Sequence, residues 1–147
     1  MIYQKLVDLI QNNSEMLAKR FMDDLLSREE TKSYKKLHEK EVYRRGYEVY
    51  SRLESWLKKN KQEDELQEHY KALGKKRCDE DIPLHEVVLA LMLIKRHLWL
   101  YILETQFFNS TFEIYQALEL NNHVILFFDR AIYFTTIGYE DASSSKK

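Results

Sequence analysis

The chain has 147 residues, within the range of ~100–200 for one domain. It holds only three glycines and one proline, where average usage of about 7% and 5% would give roughly 18 of the two together. That scarcity argues against sandwiches, barrels and glycine-lined phosphate loops, while 44% hydrophobic residues supply one packed core. The formal charge of −1 comes from interspersed signs, with Lys35-Lys36 and Lys75-Lys76-Arg77 beside Glu39, Glu41 and Asp79-Glu80-Asp81, which argues against nucleic-acid binding.

The first elements read as helices. Leu6, Leu9 and Ile10 share one face, and Asn13 or Ser14 is placed to cap a second helix carrying Leu17, Phe21 and Leu25. A polar connection, Ser27–Thr31, offers a Ser27-x-x-Glu30 capping box for a long helix through Tyr34, Leu37, Val42, Val49, Leu53, Trp56 and Leu57. The least apolar stretch, residues 58–64, predicts a turn, followed by a shorter helix bearing Leu66, His69, Tyr70 and Leu73. Gly74 either admits a close backbone neighbour or is simply tolerated.

The single proline, Pro83, suits the first turn of a helix and places the start of the fifth near Leu84. From Val87 to Leu103 that helix is apolar on nearly every side, with Lys95, Arg96 and His97 confined to one arc, so it is a central or interface element. Those charges also leave no uncharged stretch of ~20 residues to span a membrane. Ser110-x-x-Glu113 is a capping box opening a sixth helix, expected to stop near Gly138. The expected organisation is therefore an all-α, single-domain bundle of about six helices over residues 1–139, with a flexible tail at 140–147. The N-terminal residues do not form a signal peptide, and a lone Cys78 suits a reducing compartment, so a cytoplasmic location is expected.

Catalytic templates fail on spacing. His85-Glu86 begins an H-E-x-x-H zinc motif, but position 89 is Leu. No Glu-x-x-His pair serves a di-iron site, and Asp81/His85 and Glu119/His123 are ordinary pairs one helical turn apart. No catalytic or metal-ligating set is therefore expected. His97, flanked by Leu98, Trp99 and Tyr101, could face an apolar cofactor, and haem or another tetrapyrrole in a gas or redox sensor is the alternative it raises. Seven Phe, ten Tyr and two Trp exceed what a small bundle easily inter-packs, which points to an internal cavity or an oligomer face. The candidate pocket residues are His97, Trp99, Tyr101, Phe112, Tyr115, Phe127 and Tyr133, with Phe107 and Phe108 in the wider aromatic set.

Three segments carry a resemblance: Leu73-Gly74-Lys75-Lys76-Arg77, Ile82-Pro83-Leu84-x-Glu86, and Lys95-Arg96-His97-Leu98-Trp99 at the end of the apolar run. With Phe127-Phe128-Asp129-Arg130-Ala131-Ile132-Tyr133 and Gly138-Tyr139-Glu140, they resemble the N-terminal sensor domain of RsbR-type stressosome co-antagonists and of some bacterial histidine kinases. That family often has Gly before its Ile-Pro, where this chain has Asp81, a residue that could serve the next helix as a near-cap anion. The resemblance implies a non-enzymatic signal-input domain, related in shape to globin-like sensors, that serves an output domain or protein signalling partner. It also makes residues 110–138 the transmission element and the face of a homodimer, and a small apolar ligand or a protein partner the stimulus.

Overall fold

A computed structural model describes residues 2–58, 63–105 and 110–146; Phe107, Phe108 and most of the turn expected at 58–64 lie outside them. Helices α1 (Ile2–Asn12) and α2 (Ser14–Ser27) bury Leu6, Ile10, Leu17, Phe21 and Leu25 on one continuous apolar face. Their junction is held in the reverse of the expected sense. Asn13 Nδ2 donates to Leu9 O at 2.7 Å and Ser14 Oγ to Gln11 O at 2.8 Å, so both side chains close the end of α1 and neither caps α2.

The Ser27-x-x-Glu30 capping box does not form either. Ser27 Oγ donates back to Asp24 O at 2.8 Å, and residues Glu29–Lys36 wind as a 3-10 segment broken at Thr31. Thr31 Oγ1 donates to Leu25 O at 2.7 Å, while Ser33 donates through N and Oγ to the buried Glu86 carboxylate at 2.8 and 2.5 Å. These tertiary bonds override helical periodicity. Tyr34 and Leu37 consequently precede α3 (Glu39–Lys58) instead of opening it.

Helix α4 (Glu63–Asp79) ends in a Schellman motif: Ile82 N donates to Arg77 O at 3.2 Å and Asp81 N to Cys78 O at 3.0 Å. Asp81 sits at the left-handed position, φ 59°, where glycine is favoured. Its exposed carboxylate faces Lys146 at 3.7 Å, so the turn accounts for this residue and a near-cap role does not. Pro83 then precedes α5 (Leu84–Glu104), as its fixed φ requires.

Ser110 Oγ accepts from Glu113 N at 3.1 Å and opens α6 (Thr111–Ser145). That helix does not stop at Gly138. It packs along α4, where Gly74 and Gly138 let the two backbones approach so closely that a Cβ on either would lie 2.1 Å from a carbonyl oxygen, Thr135 O or Lys71 O respectively. Gly138 thus ends nothing; it permits a crossing. The described residues form one all-α domain around a core running through all six helices, and no described helix is long and apolar enough to cross a membrane.

Candidate functional site

Two small apolar-walled spaces lie between the helices, and a polar cleft opens to the surface between α3 and α4 beside them. One, of about 40 Å³, lies between α2, α3, α4 and α5, with apolar walls from Phe21, Leu25, Val42 and Ile94. A second, also about 40 Å³, shares Leu73 and Leu91 with it and is closed by Trp56, His69 and Tyr70. The polar cleft, of about 220 Å³ and rimmed by the exposed Arg44 and Lys76, shares Leu73, Arg45 and Arg77 with the first. Each has room for at least a water, and the cleft, at about 220 Å³, is the one that comes near the roughly 300–1,000 Å³ typical of ligand sites.

Two arginines line both the first apolar space and the polar cleft. Arg45 on α3 and Arg77 on α4 keep only 11% and 9% of their side chains exposed. Both bond Glu80, through Arg45 Nη2 at 2.6 Å and Arg77 Nη1 at 3.2 Å, and Arg45 Nε reaches Glu41 at 3.0 Å. Arg45 Nη1 is buried and has no partner, a costly state for a charged donor. Burial, and then the neighbouring Arg45, lower the Arg77 pKa. Hydrogen bonds from Arg44 and then Arg45 hold the Glu41 carboxyl at about 2 against the opposing effect of burial. Burial lifts the Tyr34 phenol, on the wall of the first void, to about 12. An apolar cavity ending at cationic donors can accept a molecule with an apolar body and an acidic head.

The residues predicted from sequence fall elsewhere. Phe127 is interior, ring to ring with Phe128 (5.0 Å), Tyr70 (6.0 Å) and Trp56 (6.3 Å). Trp99 and Tyr101 are half-buried, the latter under the Arg20 guanidinium at 5.8 Å. Phe112, Tyr115 and Tyr133 are 62–68% exposed on α6. His97 Nε2 lies 2.7 Å from Asp24 Oδ2, and Arg28 bonds the same carboxylate at 2.6 Å. Burial alone would raise the Asp24 pKa, but the bonds from Arg28 and His97 carry it below its ordinary value. The imidazole nitrogen that an iron would need is engaged in tying α5 to α2, and His97 lines none of the three voids, so these surroundings do not fit a haem. Sequence reasoning missed Arg45 and Arg77. The signal was there in arginines spaced to join the inner faces of α3 and α4, but it reads as surface charge until the helices are packed.

The apolar excess lies largely on α5 and α6. Leu89, Met92, Arg96, Trp99 and Leu103 on α5, and Tyr115, Leu118, Asn122, Ile125 and Asp129 on α6, recur at alternating steps of three and four, the spacing of a coiled-coil seam. Met92, Leu103, Leu118 and Tyr115 are 44–68% exposed.

A protein-family profile described as "Histidine kinase N terminal" matches residues 3–141, nearly the whole chain, and the chain belongs to that family. No curated protein and no solved structure matches it.

Proposed function

We propose that this histidine kinase N-terminal domain senses a small ligand, mostly apolar and carrying an acidic group, held at the α3–α4 cleft with its head at Arg45 and Arg77. The observation that carries the reading is the unpartnered, buried Nη1 of Arg45, a residue that lines both the apolar space and the polar cleft. An unmatched buried donor leaves a place for a partner, and an anion is the partner that also meets its charge. No catalytic step is assigned to the domain, which acts by shifting between states that bind the ligand unequally. The RsbR-type resemblance fits the same input role, with a protein partner or output domain receiving the signal. The buried thiol of Cys78 suits a reducing cytoplasm.

Trp56 closes one void and reports on the site. Titrating the protein with short linear carboxylates is expected to change its fluorescence saturably, and Arg45→Leu to abolish the change. Saturable binding that survives both Arg45→Leu and Arg77→Leu refutes the assignment.

The domain works as a homodimer through α5 and α6. Ten side chains there, among them Met92, Leu103, Tyr115, Leu118 and Tyr133, are 38–68% exposed; at roughly 200 Å² each when open, they present about 1,000 Å² in all. The largest patch on a monomer is ordinarily about 300–600 Å², and a stable interface needs about 800 Å² per partner. Leu118→Asp is expected to dissociate the dimer in sedimentation while leaving the fold intact; a wild-type protein that sediments as a monomer at high-micromolar concentration refutes it.

A further inference from the structure

The carboxylate that holds the two buried arginines also terminates α4. Glu80 is the last residue before the left-handed Asp81, so its backbone belongs to the Schellman turn while its side chain receives Arg45 and Arg77. The carbonyls two residues to either side are gripped by α6 and the residue that caps it: Lys146 Nζ donates to Cys78 O at 2.8 Å, and Tyr139 OH to Ile82 O at 2.6 Å. Lys36 Nζ from the 3-10 segment donates to Glu80 O at 2.6 Å. One turn of chain, residues 77–82, therefore joins the arginine site to the C-terminal end of α6.

We propose that Glu80 is a built-in competitor for the ligand's acid group, and that its displacement from Arg45 and Arg77 loosens the 77–82 turn and with it the grip on α6. The inference rests on the ligand reading above and adds its regulation.

The chemistry follows from what each guanidinium can bond. Arg45 spends Nε on Glu41 and Nη2 on Glu80, and Nη1 is open. An incoming carboxylate binds best bidentately, across two adjacent N–H groups of one face, and the second of those groups is the one Glu80 occupies. Entry thus requires the buried Nη1 to be uncovered and is completed by taking Nη2 from Glu80. Glu80 is 31% exposed and can turn to water, and the incoming carboxylate must also take its place at the buried Arg77 Nη1. Once the side chain is released, the turn keeps its left-handed Asp81 but loses the tether to α3 that fixes its position. Tyr139 and Lys146 act as positioning residues, through which that loss reaches the last turns of α6.

The test uses hexanoate on the full chain, with calorimetry for affinity and amide hydrogen exchange for the turn. Glu80→Gln is expected to bind hexanoate about tenfold more tightly than wild type, and hexanol is expected to bind both forms equally. A purely structural Glu80 would weaken binding on substitution, not tighten it. Hexanoate binding to the wild type is expected to speed exchange several-fold at 78–82 and 140–146, and Tyr139→Phe to keep the affinity while removing the effect of hexanoate at 140–146. Unchanged or weaker binding by Glu80→Gln, with wild-type binding intact, overturns the competition alone. Binding that leaves exchange at 78–82 and 140–146 unaltered overturns the transmission, and this arm needs only the wild type should Glu80→Gln fail to fold. Failure of both forms to bind hexanoate sinks the ligand reading and the inference together.

Discussion

Gly74→Ala tests the crossing of α4 and α6 on which this arrangement depends. On an open helix the change would stabilise the protein by about 1 kcal/mol, because alanine is the better helix former. Here the added Cβ meets Thr135 O at 2.1 Å and Tyr139 N at 2.7 Å, both backbone atoms, where ordinary contact begins at 3.4 Å. No rotamer relieves a clash with backbone, so the helices must part by more than 1 Å. A gap of that order forfeits up to half of the dispersion across the crossing, and overpacking of this kind costs about 1–3 kcal/mol, here at the upper end. Set against the propensity gain, the net loss is about 2 kcal/mol, or about 4–8 °C in thermal midpoint for a chain of this length. Gly138→Ala meets Lys71 O at 2.1 Å and is expected to cost the same. The double variant should cost little more than either alone, since one separation relieves both. Gly46→Ala is the contrast: its Cβ meets only the Phe21 ring, at 2.6 Å, and a ring can tilt. A thermal midpoint for Gly74→Ala at or above wild type refutes the close approach.

At Asp81, with φ 59°, Asp81→Gly is expected to be more stable than Asp81→Ala by about 1 kcal/mol in urea titrations, because only glycine occupies that region without steric cost. Equal midpoints for the two would show that the turn adopts another conformation. Glu41, whose carboxyl folding depresses from 4.5 to about 2, stabilises the fold fully above pH 4.5, and that contribution disappears as pH falls toward 2. Because its side chain is 35% exposed, water screens the interaction to about 1 kcal/mol. Glu41→Gln should flatten the stability profile between pH 4.5 and 2, and a variant that keeps the wild-type slope contradicts the assignment. Trp99 is half-buried against the core, so Trp99→Ala is expected to cost about 1–2 kcal/mol, well short of the ~3–5 kcal/mol for a fully enclosed aromatic; a loss in that higher range would place the ring inside.

What the chain discloses before folding, and what it withholds, divides along a physical line. Local rules that depend on the residue and its nearest turn were legible: Ser110 and Glu113 announce the start of α6, and Pro83 that of α5, because caps and fixed φ angles act within four residues. The same rules fail at Asn13, Ser14 and Ser27, where a hydroxyl or amide able to cap forward finds a carbonyl behind it first. Gly138 shows the limit in sharper form. A glycine near the expected end of a helix and a glycine at a helix crossing are the same letter, and only the α4 backbone beside it, Lys71 O in particular, decides between them.

The candidate site was hidden for a related reason. An aromatic side chain advertises burial wherever it stands, so Phe127 and the rings of α6 read alike in sequence, yet Phe127 is interior while Phe112, Tyr115 and Tyr133 face outward. An arginine advertises solvent, and Arg45 and Arg77 defy that expectation, because α3 and α4 bring them to one carboxylate 35 residues from the first and three from the second. The long separation makes the pair invisible to any window along the chain. It also makes the pair informative, since two charges are retained inside a bundle only where an anion meets them, and Glu80 leaves one of their donors unmet.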